Sequence, residues 1–176
     1  MRRSRIDRYV SQAGFSLLEM LFATVILLVG LVAVAQLVPA SIFLNWQNRT
    51  NSSALVFAQR ELDQMLDQPL TANSFNDALA NTCQLGNPTV ANAIQGTNVL
   101  VFNSQAMIDF TSSVPGYNFT YQDPTDPSGT IYDVRWAVIV TGNGSAASSK
   151  RFILGVRQAG GYGYFEPITL DSMVGK

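Results

Sequence analysis

Near its amino terminus the chain carries a long apolar run. From Phe15 to Ala35 the only charged residue is Glu19, and apolar residues resume from Leu37 to Leu44. About 20 apolar residues are enough to cross the ~30 Å hydrocarbon layer, and a single span must be helical because lipid offers the backbone no hydrogen-bond partners. The pattern predicts one membrane-spanning helix, which we place at residues 15–44.

A second, amphipathic helical segment follows a short polar stretch around Trp46. Its apolar positions recur at helical spacing, at Leu55, Ala58, Leu62, Met65 and Leu66. Pro69 marks the end of the helix. If the helix is continuous from residue 15 to residue 66, its length is about 80 Å at 1.5 Å per residue. An ordinary core helix predicts the same stripe, so the stripe indicates only that this half packs on a globular part.

Two residues inside the predicted helix favour a bend or a local loosening. Pro39 has no backbone N–H, and its ring meets the carbonyl of Ala35. Gly30 is a weaker point, because glycine is common in membrane helices. We therefore expect any bend to lie at Pro39 or Gly30.

The carboxyl-terminal half alternates between apolar and polar positions, which predicts strands. We expect strands at residues 117–123, 130–141 and 150–158, with a turn at 142–145. The inward positions of the last two strands are Tyr132, Val134, Trp136, Val138, Val140, Phe152, Leu154 and Val156. The result is an antiparallel meander that can pack on the helix, and hence an α+β fold.

The remaining segments give weaker patterns. Residues 70–116 are rich in Asn, Thr, Ser and Gly, and we interpret them as a mostly irregular connection with a short helix at 75–79 and a strand at 99–103. The glycine-rich segment at 160–164 is expected to be a loop or an edge element.

Composition excludes most catalytic chemistry. The chain has no histidine and one cysteine, Cys83. An intrachain disulfide, a zinc site of the Cys/His kind and a Ser-His or Cys-His catalytic pair are therefore excluded. Asp123, Asp126 and Asp133 are the candidate ligands for a calcium ion, but their spacing is not that of an EF-hand loop. Asp123 and Asp126 each precede a proline, and Asp-Pro pairs are ordinary turn formers. We expect a protein that is not an enzyme and has no metal and no cofactor; for Cys83 a thiol without a role is favoured over an intermolecular bridge.

Charge is distributed unevenly. Arg2, Arg3, Arg5 and Arg8 precede the apolar run with only Asp7 against them, whereas acidic residues outnumber basic ones afterwards. Basic flanks stay in the cytoplasm, so the body of the chain is expected outside it. The net charge of −1 gives no indication of nucleic-acid binding.

Glu19 is the unusual residue of the apolar run. A carboxylate at the centre of a span costs about 2.5–3.5 kcal/mol, and less near an end. If the chain were cut after Gly14, Phe15 would carry a free amine, and a neighbour's amine ~4 Å from the carboxylate would contribute about 4 kcal/mol. Alternatively, Glu19 is solvated by lipid headgroups and stabilised by the helix dipole. Position alone does not decide between these interpretations.

Two simpler interpretations of the apolar run also exist. Residues 33–35 followed by Gln36 look like a signal-peptide cleavage site, but the run is longer than the usual 7–15 residues and contains a charge. A plain membrane anchor is the other alternative.

The stretch Gly14-Phe15-Ser16-Leu17-Leu18-Glu19 resembles the prepilin processing and methylation motif of type IV pilins and type II secretion pseudopilins. The resemblance implies that a prepilin peptidase cuts after Gly14 and methylates the new amine of Phe15. It also implies that Glu19 helps to dock the subunit into a growing filament. It covers residues 12–66 well and the remainder only in general layout.

The resemblance further implies a pilin-like organisation. Residues 1–14 would be a cytoplasmic leader, 15–44 the transmembrane and assembly helix, and 45–176 an amphipathic helix with a periplasmic α+β head. The chain would sit in the bacterial inner membrane and then in a pilus or pseudopilus. Its partners would be the prepilin peptidase and other major and minor pilin subunits.

Departures from the motif suit a minor subunit. Ala13 stands where many members have Lys or Arg, and Gln36 where major pilins often have proline. Residues 27–31 and 58–62 are similar to minor pilins called type IV pilus modification proteins. A minor pseudopilin of type II secretion follows the same pattern, and an exported membrane-anchored binding module without a filament role is a further alternative.

Overall fold

The computed structural model describes residues 14–122, 124, 129–143, 146–160 and 167–175. The chain divides into two compact units, with the boundary between Trp46 and Gln47. Each unit is described below by itself.

A single helix, α1 (Leu17–Leu66), contributes to both units. In the first unit every described residue from 14 to 45 is exposed. The most apolar window of α1 has a mean hydropathy of 2.7 and no buried residue, so by length and composition it can cross a membrane. The predicted long helix is thus confirmed, and its helical assignment continues through Pro39.

The second unit contains nine described strands. They are β1 (Ser74–Asn76), β2 (Thr82–Gln84), β3 (Ile94–Gly96), β4 (Val99–Phe102), β5 (Gln105–Ile108), β6 (Asn118–Gln122), β7 (Ile131–Asn143), β8 (Ala146–Ala159) and β9 (Ile168–Gly175).

The main sheet is antiparallel and has β7 and β8 at its centre. β7 pairs with β8, and β8 pairs with β9. On its other side β7 pairs with β6 over its first five residues and with β3 over residues 137–139, near its middle. Two further two-stranded sheets are formed by β1 with β2 and by β4 with β5. The fold is α+β, as predicted.

One face of the main sheet packs on the second half of α1. The alternating residues of β7 and β8 predicted to point inward are all buried there, against Ala54, Phe57, Ala58, Leu62 and Met65 of the helix. The predicted helix stripe was partly wrong. Leu55 is 37% exposed, because it lies one residue away from the row through Ala54 and Phe57 that contacts the sheet.

The other face of the main sheet is covered by the β4–β5 hairpin. Ile108 packs there on Ala137 and Ile153. Gly155 permits the close approach, because a Cβ at this position would lie only 2.8 Å from the Cβ of Ile108. The sheet is therefore a middle layer between the helix and the hairpin.

The connection at residues 70–116 is less irregular than predicted. The helix expected at 75–79 is wrong: β1 covers residues 74–76, and Asp77 then caps a turn through its side chain. The strand expected at 99–103 is confirmed as β4. The glycine-rich segment lies mostly outside the described residues, and the edge strand β9 follows it.

Candidate functional site

The start of α1 is fixed by a hydrogen-bonded cap. The Oγ of Ser16 accepts the backbone N–H of Glu19 at 3.1 Å, and Met20 donates its N–H to the Ser16 carbonyl at 3.1 Å. Ser16 is therefore the N-cap residue and Glu19 stands at the third helical position. Serine followed three residues later by glutamate is the sequence signature of a capping box, a signal that the sequence analysis missed.

This geometry places the Glu19 carboxylate in the first turn of the helix. Acidic groups there interact favourably with the helix dipole, typically by about 0.3–1 kcal/mol. That contribution is smaller than the cost of a carboxylate in a membrane. The cap therefore gives Glu19 its position in the first turn, and the helix dipole adds a modest local stabilisation.

Gly14 and Phe15 have no packing role in the described structure. A Cβ added at Gly14 would meet no atom within 4 Å. The Phe15 side chain is 86% exposed. Neither side-chain position is thus packed against other described residues.

The hydroxyl groups within the apolar half of α1 bond to their own helix. Thr24 donates to the Leu21 carbonyl and Ser41 to the Val38 carbonyl, both at 2.8 Å. Gly30 has no described atom within 4 Å of an added Cβ. These side chains suit a lipid environment, because their polar groups need no water.

A buried polar cluster lies where α1 meets the loop after β1. Glu61 is fully buried; its Oε1 accepts from Arg60 Nη2 at 3.1 Å and from Gln64 Nε2 at 3.2 Å. Its Oε2 is buried and has no hydrogen-bond partner among the described residues. Burial raises the pKa of the Glu61 carboxyl, and the charge of Asp77 adds to this against the opposing effect of Arg60.

We expect Glu61→Gln to change how stability depends on pH. The folded-state pKa of Glu61 is raised, so its proton stabilises the fold below the unfolded-state pKa, and this contribution is lost as pH rises through the folded-state pKa. Glutamine does not titrate. The free energy of unfolding of the variant, minus that of the wild type, is therefore expected to increase from pH 4 to pH 7.

Urea unfolding at both pH values measures this difference. Asp63→Asn is the matched control, since the Asp63 side chain is exposed on the same helix. A Glu61→Gln difference that stays constant between pH 4 and pH 7, or that matches the control, would contradict the assignment.

Cys83 is an inert thiol in this fold. It is fully buried, and burial together with the charges of Asp77 and Glu61 raises its pKa to about 12. Reactive cysteines are partly exposed thiolates. The structure thus favours the interpretation without a role over an intermolecular bridge.

Asp133 is engaged in ion pairs. Arg135 contacts both of its carboxylate oxygens, at 3.0 and 2.9 Å, and Arg157 contacts Oδ2 at 3.1 Å. Both guanidinium groups also lie over the ring of Phe110, at 5.3 and 4.5 Å from its centroid. The cluster anchors the segment after β5 to the outer face of the sheet.

Metal binding has no support among the described residues. They contain no group of three or more Cys, Asp or Glu side chains arranged to hold an ion. Asp123 and Asp126 lie outside the described residues.

The comparisons with known proteins identify the amino-terminal segment. A family model described as the prokaryotic N-terminal methylation motif matches residues 10–35. Curated proteins and solved structures gave no match. The matched segment contains Gly14, Phe15 and Glu19 together with the capping serine. The match covers residues 10–35 alone, and it identifies this segment as an N-terminal methylation motif.

Proposed function

We propose that this chain is a minor pilin or pseudopilin, a structural subunit that is cleaved after Gly14, methylated at Phe15 and assembled into a type IV pilus-type filament, or that primes such assembly. The observation that carries the proposal is the methylation motif at residues 10–35, which precedes a helix apolar enough to cross a membrane.

The exposed apolar surface of α1 supports an assembly role. Large exposed apolar patches mark sites of contact with proteins or membranes. Before assembly the inner membrane covers residues 15–44, and in a filament the helices of other major and minor pilins replace the lipid. The basic leader, residues 1–14, holds the amino terminus in the cytoplasm, so the head lies in the periplasm.

The proposed role of Glu19 follows from its position. Cleavage after Gly14 creates an amine at Phe15, immediately before the N-cap residue Ser16. The carboxylate of one subunit then pairs with the amine of the next, which offsets the cost of keeping a carboxylate in lipid.

A minor subunit is favoured over a major one by two residues. Ala13 and Gln36 both depart from the pattern of major pilins, as noted above. A minor pseudopilin of type II secretion remains the second candidate, since the same motif and helix serve both machines.

Replacing Gly14 by valine tests the proposal. A β-branched side chain at the scissile position obstructs the peptidase, so we expect the variant to accumulate in the membrane with its leader attached. An immunoblot of membrane fractions, with the mass of the intact chain, measures this. Ser11→Val, three residues upstream, is the control and is expected to be processed normally. Wild-type processing of Gly14→Val, or an uncut wild-type chain, would refute the proposal.

A further inference from the structure

A polar cavity lies beside the β4–β5 hairpin, on the face of the main sheet that the hairpin covers. Its volume is about 470 Å³, within the range of about 300–1,000 Å³ that ligand pockets span. Residues of the hairpin, of β8 and of the start of β9 surround it. They are Ser104, Gln105, Ala106, Met107, Arg151, Pro167, Thr169 and Asp171. None of them belongs to the methylation motif.

An ion pair forms the sheet side of this cavity. Asp171 is the cross-strand partner of Ile153, and Arg151 reaches it diagonally from two residues away on β8. The Nε of Arg151 lies 2.9 and 3.1 Å from the two carboxylate oxygens of Asp171, and its Nη2 also donates to Oδ2. Because the two charges balance, the cavity suits a neutral ligand better than an ion. Both side chains are partly exposed, so their remaining donors and acceptors can reach a ligand.

The hairpin side of the cavity is held in place by packing. Ile108 of β5 packs on Ile153 of β8, and Gly155 lets the two layers approach closely, as described above. The two sides are therefore positioned before a ligand binds, which lowers the cost of ordering them on binding.

Ser104 adopts a backbone conformation that favours glycine. Asn103 and Ser104 form the turn between the paired residues Phe102 and Gln105, and their φ angles are 48° and 65°. Two positive φ angles in a two-residue hairpin are those of a type I′ turn, for which Asn-Gly is preferred. The geometry of the turn does not explain the serine, whose side chain lines the cavity.

The lining combines hydrogen-bonding groups of both kinds with an apolar wall. The carboxylate accepts and the guanidinium donates, whereas the amide of Gln105 and the hydroxyl of Ser104 can do both. Ala106 and Met107 offer apolar contact. A saccharide matches this combination, because each of its hydroxyl groups donates and accepts and its C–H groups form apolar patches. An extended peptide matches it less well, since it needs pockets for alternate side chains.

We propose that this cavity binds a neutral saccharide, whose hydroxyl groups bond to the Asp171 carboxylate, the Arg151 guanidinium and the Ser104 hydroxyl. The site does not rest on the proposed function, because it requires neither cleavage after Gly14 nor assembly. It gives the second unit a recognition role of its own.

The test uses the full chain with ¹³C-labelled methionine methyl groups, in micelles of lauryldimethylamine oxide, since a glycoside detergent would compete. Glucose, galactose, mannose and N-acetylglucosamine are titrated separately, and the neutral peptide trialanine is titrated in the same way. Met107 lines the cavity, whereas Met65 is fully buried between α1 and the sheet. We expect at least one sugar to shift the Met107 methyl resonance to saturation and to leave that of Met65 unchanged.

Replacing Ser104 by glycine separates binding from folding. Glycine suits the positive φ, so the melting temperature is expected to stay the same or to rise. The affinity for the sugar is expected to fall by about 2-fold to 12-fold, the range of a neutral hydrogen bond. Asn103→Gly is the matched control, because it changes the same turn at a residue that does not line the cavity, and it is expected to bind the sugar like the wild type.

Replacing Asp171 by asparagine is expected to have the larger effect. Hydrogen bonds to charged groups are stronger than neutral ones, so the affinity is expected to fall by about 10-fold or more. The fold is expected to remain stable, since exposed ion pairs contribute little to stability. Asp63→Asn is the control, because Asp63 is exposed on α1 and does not line the cavity.

Three results would each overturn the proposal. They are a Met107 resonance that no sugar shifts, a stronger response to trialanine than to any sugar, or equal sugar affinity in the wild type and in both cavity variants. The outcome is separable from that of the proposed function. If Gly14 is cut in cells but no sugar binds, only the saccharide site is wrong; if Gly14 is never cut but a sugar binds, the site stands and the pilin-like function fails.

Discussion

Replacing Glu19 by glutamine is expected to exclude the chain from filaments while its processing and its folded head remain unchanged. A carboxylate about 4 Å from a partner's amine contributes about 4 kcal/mol at an effective dielectric near 20, equivalent to about 1,000-fold in binding. Glutamine removes this charge but keeps the backbone N–H that donates to the Ser16 Oγ. Immunoblots of sheared filaments against membranes measure the distribution.

Ser16→Ala is the matched control for this experiment. It removes the cap to the Glu19 N–H and costs about 1 kcal/mol of helix stability, but it retains the carboxylate. We expect this variant to enter filaments. If Glu19→Gln assembles like the wild type, or if Ser16→Ala fails equally, the proposed pairing of the Glu19 carboxylate with a partner's amine is wrong.

Replacing Trp136 by alanine is expected to unfold the head. Trp136 is fully buried, and its ring packs against that of Phe119 with 5.8 Å between the two centroids. Its indole N–H donates to the Gln84 carbonyl at 2.8 Å. Truncation of a buried Trp costs about 3–5 kcal/mol, and the orphaned carbonyl adds about 1–3 kcal/mol. The sum is comparable to the whole stability of a domain, about 5–15 kcal/mol.

Thermal unfolding of the full chain in detergent, followed by circular dichroism of the sheet, measures this effect. Trp136→Phe is the control, since it keeps an aromatic ring but loses the indole donor, and we expect it to remain folded with a lower melting temperature. A Trp136→Ala variant that melts within a few degrees of the wild type would contradict the central place of Trp136 in the core.

The long elements of the fold could be predicted because each contains several repeats of its own period. The span needs only composition and length, and the face of β7 is defined by five alternating residues from Tyr132 to Val140. The three-residue strands offer too few positions for a period. Their partners are also distant in sequence: β3 pairs with Ala137–Ile139 of β7, which no local pattern indicates.

The alternation of apolar and polar positions could not predict which polar residues are buried. Lys150 was placed in a strand, but nothing local indicated that its side chain would be buried, where it donates to the carbonyls of Ala72 and Gly86. Lysine is almost never fully buried without a partner, and here the partners are brought together only by the tertiary fold. Burial of Glu61 was missed for the same reason.

The candidate site was more accessible to sequence analysis than the head. Gly14, Phe15 and Glu19 lie within six consecutive residues, so their spacing in the sequence determines their relative positions at the start of α1. Ser16 could have been found as well, from its spacing to Glu19.

The most direct test of assembly as a pilin-like subunit is the mass of the amino-terminal peptide of the native chain, isolated from membranes and from any filament fraction. We predict a peptide that begins at Phe15 and carries one methyl group on its amine. An intact leader, or a chain that begins at Gln36 after signal-peptide cleavage, would contradict the proposed function.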